Sequence, residues 1–288
     1  MTAGKRKILA ATVATATALV LTGGKLAVAI MTGSLAVLAT AVDSAMDVAC
    51  SGLNAFFLRV AANPPDAEHA YGHGKAEALS GVVQAVIIAM GGIWLFGRSV
   101  GRLGTPEPIA KPEVGVAISA LGLVMSLALV IYLRREARIT RSLALRADAF
   151  HYVTDIATNV IAGVALVGYR AFGWSALDPL ASMLIAGYIV LASYQILRAS
   201  AQELLDRGLP REAEDEIKVL LAELAPEVRG YRSFRSRRAG GTLFFEFRML
   251  VDRNASFERS HEIAETAMRR IKQHHGEHTE ITIDTDPV

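Results

Sequence analysis

Apolar residues gather into six long stretches, at approximately 8–31, 35–60, 79–101, 114–133, 143–170 and 178–200. Each reaches or exceeds the roughly 20 residues needed to cross a hydrocarbon core. The pattern predicts six transmembrane helices. Lys5, Arg6 and Lys7 ahead of the first stretch imitate a signal peptide, but the apolar run exceeds the usual region of about 7–15 residues and no clear cleavage site follows it. It reads as a retained span. After Asp206-Arg207-Gly208-Leu209-Pro210 the periodicity changes. Residues 211–225 place Ile217, Leu220, Leu221 and Leu224 on one helical stripe behind an acidic first turn. Two β-like segments, about 228–238 and 242–251, flank Gly240-Gly241, a hairpin signal. Ser256 to about His274 is again helical, and 280–284 reads as a last strand. The order α-β-β-α-β predicts a small α+β domain of a size that favours dimerisation. The chain is therefore expected to divide into an α-helical membrane domain over 1–207 and an α+β domain over 208–288.

Composition sharpens that division. Over all 288 residues, 52% are hydrophobic and 20% charged, against about 25% charged in an ordinary soluble domain. Residues 1–200 hold 27 charged side chains (16 Lys+Arg, 11 Asp+Glu) and 201–288 hold 31 (14 and 17), so the net charge of +2 is +5 in the first part and −3 in the second. No basic tail points to nucleic acid. The single cysteine, Cys50, excludes a disulfide framework or a Cys-rich metal site. Any chemistry falls to Asp, Glu and His.

Basic residues alternate along the connections. Lys5, Arg6, Lys7, Arg59, Lys75, Arg134, Arg135, Arg138, Arg141, Arg146, Arg198 and Arg207 fall at one set of ends, whereas the other set carries only Lys25, Arg98, Arg102, Lys111 and Arg170. By the positive-inside bias both termini face the cytoplasm of a multi-pass inner-membrane protein.

The strongest chemical signal is Asp43-x3-Asp47 in the second stretch with His151-x3-Asp155 in the fifth. Spacing i, i+4 puts each pair on one helix face, so two facing helices can present four ligands to one point. Carboxylates buried alone in hydrocarbon are costly, and a divalent cation offsets that charge. Three oxygens and one imidazole suit four-coordinate Zn²⁺ or a similar first-row ion better than Ca²⁺. A weak internal repeat at an offset of 108 residues superposes Asp43 on His151 and Asp47 on Asp155. A second cluster, Asp66-x2-His69-x3-His73, lies in the following connection and reads either as a metal site or as solvated loop residues. His274, His275 and His278 read as a solvated helix end.

Together, the six stretches, both paired motifs, HAYGHGKAE over 69–77, LLDRGLP over 204–210 and the α-β-β-α-β tail resemble the cation diffusion facilitators, specifically the bacterial ferrous-iron/zinc efflux pump branch. The resemblance covers essentially the whole chain. It implies six transmembrane helices with a ferredoxin-like, metallochaperone-like cytoplasmic domain for regulation and dimerisation. It also implies a homodimeric metal/proton antiporter without a prosthetic group, exporting Zn²⁺, with Cd²⁺ or Fe²⁺ as further cargo and protons as counter-ion. Asp43, Asp47, His151 and Asp155 match the family's transport site, and Asp66, His69 and His73 its loop site. Lys75 and Asp206 match a salt-bridge pair at the domain junction.

One region departs from the family. Relatives with a binuclear cytoplasmic site carry histidines where this chain has Arg232 and Arg248, with Asp284 near the C-terminus; His261 and Asp286 remain, so His261, Asp284 and Asp286 are the expected remnant of that site. Guanidinium cannot ligate a metal. The sequence therefore predicts that Arg232 and Arg248 pair with Asp284 and Asp286 in place of metal charge. Two other readings stay open, a membrane metal sensor and a metalloenzyme. No HExxH motif is present, since His261-Glu262 is followed by Ile263-Ala264-Glu265. Among cargoes, Fe²⁺, Co²⁺ or Mn²⁺ could replace Zn²⁺, because affinity order alone does not set selectivity.

Overall fold

Six helices of 27–30 residues follow one another in the computed structural model: α1 (Ala3–Thr32), α2 (Leu35–Ala61), α3 (Lys75–Arg102), α4 (Glu113–Thr140), α5 (Leu143–Phe172) and α6 (Leu177–Leu204). The structure describes the backbone of residues 2–32, 35–102, 113–172, 177–276 and 278–288, and the side chains of 2–31, 41, 44–101, 122–157, 160, 179–276 and 278–288. Lys111 and the side chains of Asp43, Arg102 and Arg170 lie outside the described residues. The chain divides into two compact units, Met1–Ala201 and Gln202–Val288.

At 1.5 Å per residue a 27-residue helix is about 40 Å long, more than the hydrocarbon core of a bilayer. Among the described residues, three segments are long and apolar enough to cross one: Ala3–Met31, Lys75–Gly101 and Pro179–Leu204. Large apolar side chains point outward, with Trp94 63%, Leu191 68% and Leu184 79% exposed, an exterior suited to lipid rather than water. Polar groups within α1 are satisfied locally: the hydroxyls of Thr12, Thr15, Thr17 and Thr22 donate to the carbonyls four residues back at 2.8–2.9 Å.

Small residues set the helix packing. Ala10, Ala11 and Ala14 of α1, Ala55 of α2, and Ala144 and Ala149 of α5 are buried in one cluster, which lets backbones approach closely. Helices α3 and α6 meet at Gly92, where an added Cβ would lie 2.9 Å from Ile189 Cγ2. A two-residue turn joins α4 to α5. It places Arg141 in the left-handed region (φ 52°), and Ser142 Oγ accepts from the Leu145 N–H at 3.1 Å, capping α5.

Two ion pairs tie the start of α1 to its neighbours. Lys7 Nζ donates to Glu77 Oε2 at 2.6 Å, with both side chains under one tenth exposed, and Arg6 grips Glu136 through two 2.8 Å bonds. The start of α1, the start of α3 and the end of α4 therefore share one end of the unit. These are the ends that the Lys/Arg bias assigns to a single side.

The second unit contains α7 (Arg211–Ala222), β1 (Val228–Ala239), β2 (Thr242–Val251), α8 (Phe257–His275) and β3 (Thr279–Pro287). The sheet order is β1-β2-β3, with β1 and β2 antiparallel and β2 and β3 parallel. Period-two alternation sorts the strand faces. Phe245, Phe247, Met249 and Val251 are buried with Ile217 and Leu221 of α7 and Ile263, Ala264, Ala267 and Ile271 of α8. Each such buried large apolar side chain contributes roughly 1.5–3 kcal/mol. Ser256 caps α8 by accepting from Arg259 N–H at 3.2 Å, and Gly276 (φ 97°) ends it.

Candidate metal centre

Helices α2 and α5 face each other, and between them His151 Nε2 lies 3.1 Å from Asp47 Oδ1 and 3.8 Å from Asp155 Oδ2. One ligand atom from each of Asp47, His151 and Asp155 falls within a 4.8 Å span. All three side chains are partly exposed, at 25%, 15% and 37%. Two carboxylates and an imidazole on two packed helices thus form a small anionic nest that a cation can reach. Asp43 stands four residues before Asp47 on α2, but its side chain lies outside the described residues.

Polar contacts continue from this cluster along α2, first to α5 and then to α3. Ser51 Oγ donates to Asp148 Oδ1 at 3.1 Å and shares a 2.9 Å bond with the Tyr152 hydroxyl, and Ser80 Oγ donates to Asn54 Oδ1 at 2.9 Å. Asp148 is completely buried. Asp148 lies near the start of α5, yet its carboxylate accepts from Ser51 across on α2, one turn before His151. The available signal was spacing, because Ser51 and Asn54 follow Asp47 at i+4 and i+7 and so share its face.

In the connection after α2, His69 Nδ1 and His73 Nε2 each lie 3.4 Å from an Asp66 carboxylate oxygen, with the two rings 4.5 Å apart. The three form a second ligand cluster. The backbone N–H groups of His69 and Glu68 donate to Asp66 Oδ1 at 2.7 and 3.0 Å. The His69 bond first, then that from Glu68, hold its carboxyl below the usual carboxylate range. Asp66 and His69 are about half exposed, whereas His73 is largely covered. The turn at Gly72 (φ 78°) brings His73 back to Asp66.

On the sheet face away from the helices, Arg232 of β1 is in register with Arg248 of β2, and Arg248 with Asp284 of β3. Like charges directly opposite repel. Here acids are interleaved: Arg232 bonds Asp286, while Arg248 lies 3.6 Å from Asp284 and 3.9 Å from Asp286. His261, Asp284 and Asp286 form no ligand cluster among the described residues, since guanidinium groups occupy Asp286 and His261 lies 3.4 Å from Glu265 on its own helix. Within the second unit Asp206 accepts from Arg237 at 3.1 Å, and Lys75 opens α3 in the first unit.

Comparison with known proteins identifies the family. Residues 11–205 match the family model described as the cation efflux transmembrane domain, and 209–288 match the cation efflux protein cytoplasmic domain. The cation-efflux pump FieF of Shewanella oneidensis is 36% identical over 280 residues, covering 97% of this chain and 94% of the relative. FieF of Klebsiella pneumoniae is 36% identical over 240 residues, covering 83% and 79%. Among solved structures, the zinc form of CzrB is 28% identical over 28% of this chain and 92% of its own, with a TM-score of 0.27. Both domain matches and the near full-length FieF alignment place this chain in the cation diffusion facilitator family, membrane transporters rather than enzymes.

Proposed function

We propose that this protein is a divalent-cation/proton antiporter that exports Zn²⁺, and with it Cd²⁺ or Fe²⁺, from the cytoplasm by alternating access. The observation that carries the reading is the convergence of Asp47, His151 and Asp155 on one point between α2 and α5. Asp43, one turn away on α2, would complete a four-ligand set for the cargo. In this scheme 1–207 forms six spans with both termini in the cytoplasm. Residues 208–288 form the cytoplasmic domain of a homodimer, with Lys75 and Asp206 as a junction pair. Asp66, His69 and His73 take up metal at the cytoplasmic end.

The ligand chemistry supplies the exchange. Carboxylate and imidazole must be deprotonated to bind metal and can take up protons when it leaves, and imidazole is the donor whose ordinary pKa lies nearest neutrality. Because the ligands sit on two helices, a rocking motion can expose the site to either side without dismantling it. Proteoliposome uptake over a panel of divalent metals tests this: Zn²⁺ flux should increase with an imposed pH gradient. Binding without flux would make the protein a metal sensor and overturn the proposal. Within the same panel, His151→Asp should move preference toward harder cations such as Mn²⁺, because it leaves oxygen donors alone.

A further inference from the structure

Of the histidines at the end of α8, His274 and His278 are exposed as a solvated helix terminus would be, but His275 is not. His275 has a side chain only 10% exposed, packed with its ring centroid 5.1 Å from that of buried Phe245 on β2. Its Nε2 is enclosed and has no hydrogen-bond partner among the described residues. Buried polar atoms are rarely left in that state. Facing it from α7 is Glu216, whose Oε2 lies 3.7 Å from His275 Nε2 and 3.6 Å from His274 Nε2. The two imidazole rings meet edge to face, 5.0 Å apart.

These separations are informative. A charge-assisted N–H···O bond would close to about 2.7–2.9 Å. Zinc bonds of about 2.0–2.2 Å to nitrogen and oxygen set neighbouring tetrahedral ligands about 3.4 Å apart. The observed gaps are too long for hydrogen bonds and within a few tenths of an ångström of that edge. One ligand atom from each of Glu216, His274 and His275 falls within a 4.8 Å span. The C-terminal carbonyls of α8, ended at Gly276, add partial negative charge beside the cluster.

We infer that Glu216, His274 and His275 form a third metal site, a clamp for Zn²⁺ or another imidazole-preferring divalent ion that ties α7 to the last turn of α8. Three protein ligands leave one position for water. The site is distinct from the Asp47 and Asp66 clusters and does not depend on the transport assignment. By joining α7 to the element that leads into β3, bound metal stiffens the C-terminal unit, so that its rigidity follows the divalent-metal concentration.

The test uses full-length protein in detergent carrying Asp47→Asn and Asp66→Asn to disable the other clusters, with Zn²⁺ measured by equilibrium dialysis at micromolar free metal. The parent should retain one Zn²⁺ per chain and gain thermal stability on binding it. Glu216→Ala and His275→Gln should each weaken that binding tenfold or more and remove the stabilisation. Glu216 is half exposed on a helix, where alanine is well tolerated, so this variant decides the matter even if His275→Gln folds poorly. A parent that binds no Zn²⁺, or a Glu216→Ala protein that binds as tightly as the parent, overturns the site.

Discussion

Replacing Asp155 with alanine is expected to lower Zn²⁺ flux in proteoliposomes by more than about 100-fold, since even removal of an outer-shell partner of a metal ligand costs about 10–100-fold. Asp47→Ala should do the same. The two residues lie on different helices and meet through His151, which is 3.1 Å from one and 3.8 Å from the other. Removing either carboxylate leaves a site with one negative charge fewer and an incomplete coordination set. The change is largely local, because the Asp47 and Asp155 side chains are 25% and 37% exposed and their loss opens no sealed core cavity. Variant protein should therefore elute and melt like the parent while failing to transport. Unchanged flux in both variants would remove the site from the mechanism.

The second large effect concerns stability. Glu77→Ala is expected to cost about 3–5 kcal/mol, the usual result of leaving one member of a buried ion pair without its partner. Lys7 and Glu77 are 2.6 Å apart, and both side chains are nearly enclosed. The penalty is mainly that of an ammonium group stranded away from water, not the worth of the pair itself. A Lys7→Met, Glu77→Met protein should therefore recover most of the loss, as apolar packing replaces both charges. Thermal unfolding in detergent separates the two cases. Equal midpoints for Glu77→Ala and the parent would show that the pair is open to solvent or to lipid headgroups.

Several elements were readable in the chain because their signals are local. The α-β-β-α-β order of the tail follows from periods that switch between 3.6 and 2, and Gly240-Gly241 marks the turn between β1 and β2. Asp47, His151 and Asp155 stand out because charge is expensive within apolar stretches and the i, i+4 spacing assigns each pair to one face. The pairing of Arg232 and Arg248 with Asp284 and Asp286 could be anticipated once the family resemblance put these arginines at metal-ligand positions, since guanidinium cannot ligate a metal and needs an acid nearby.

Other features required atoms brought together from distant parts of the chain. Nothing near Lys7 indicates that Glu77, 70 residues away, will enclose it. Asp148 looks like a residue near a helix end until α2 packs beside it and Ser51 reaches its carboxylate. His275 lies in a polar run that reads as solvated, yet the turn of α8 directs its ring onto Phe245 and toward Glu216. The sequence alone determined which residues belong to which element and which face they occupy, because periodicity and desolvation cost are properties of the chain itself. Only the tertiary structure decided which faces meet, and so which acids pair with cations, which lie buried in a polar seam and which are left to surround a metal.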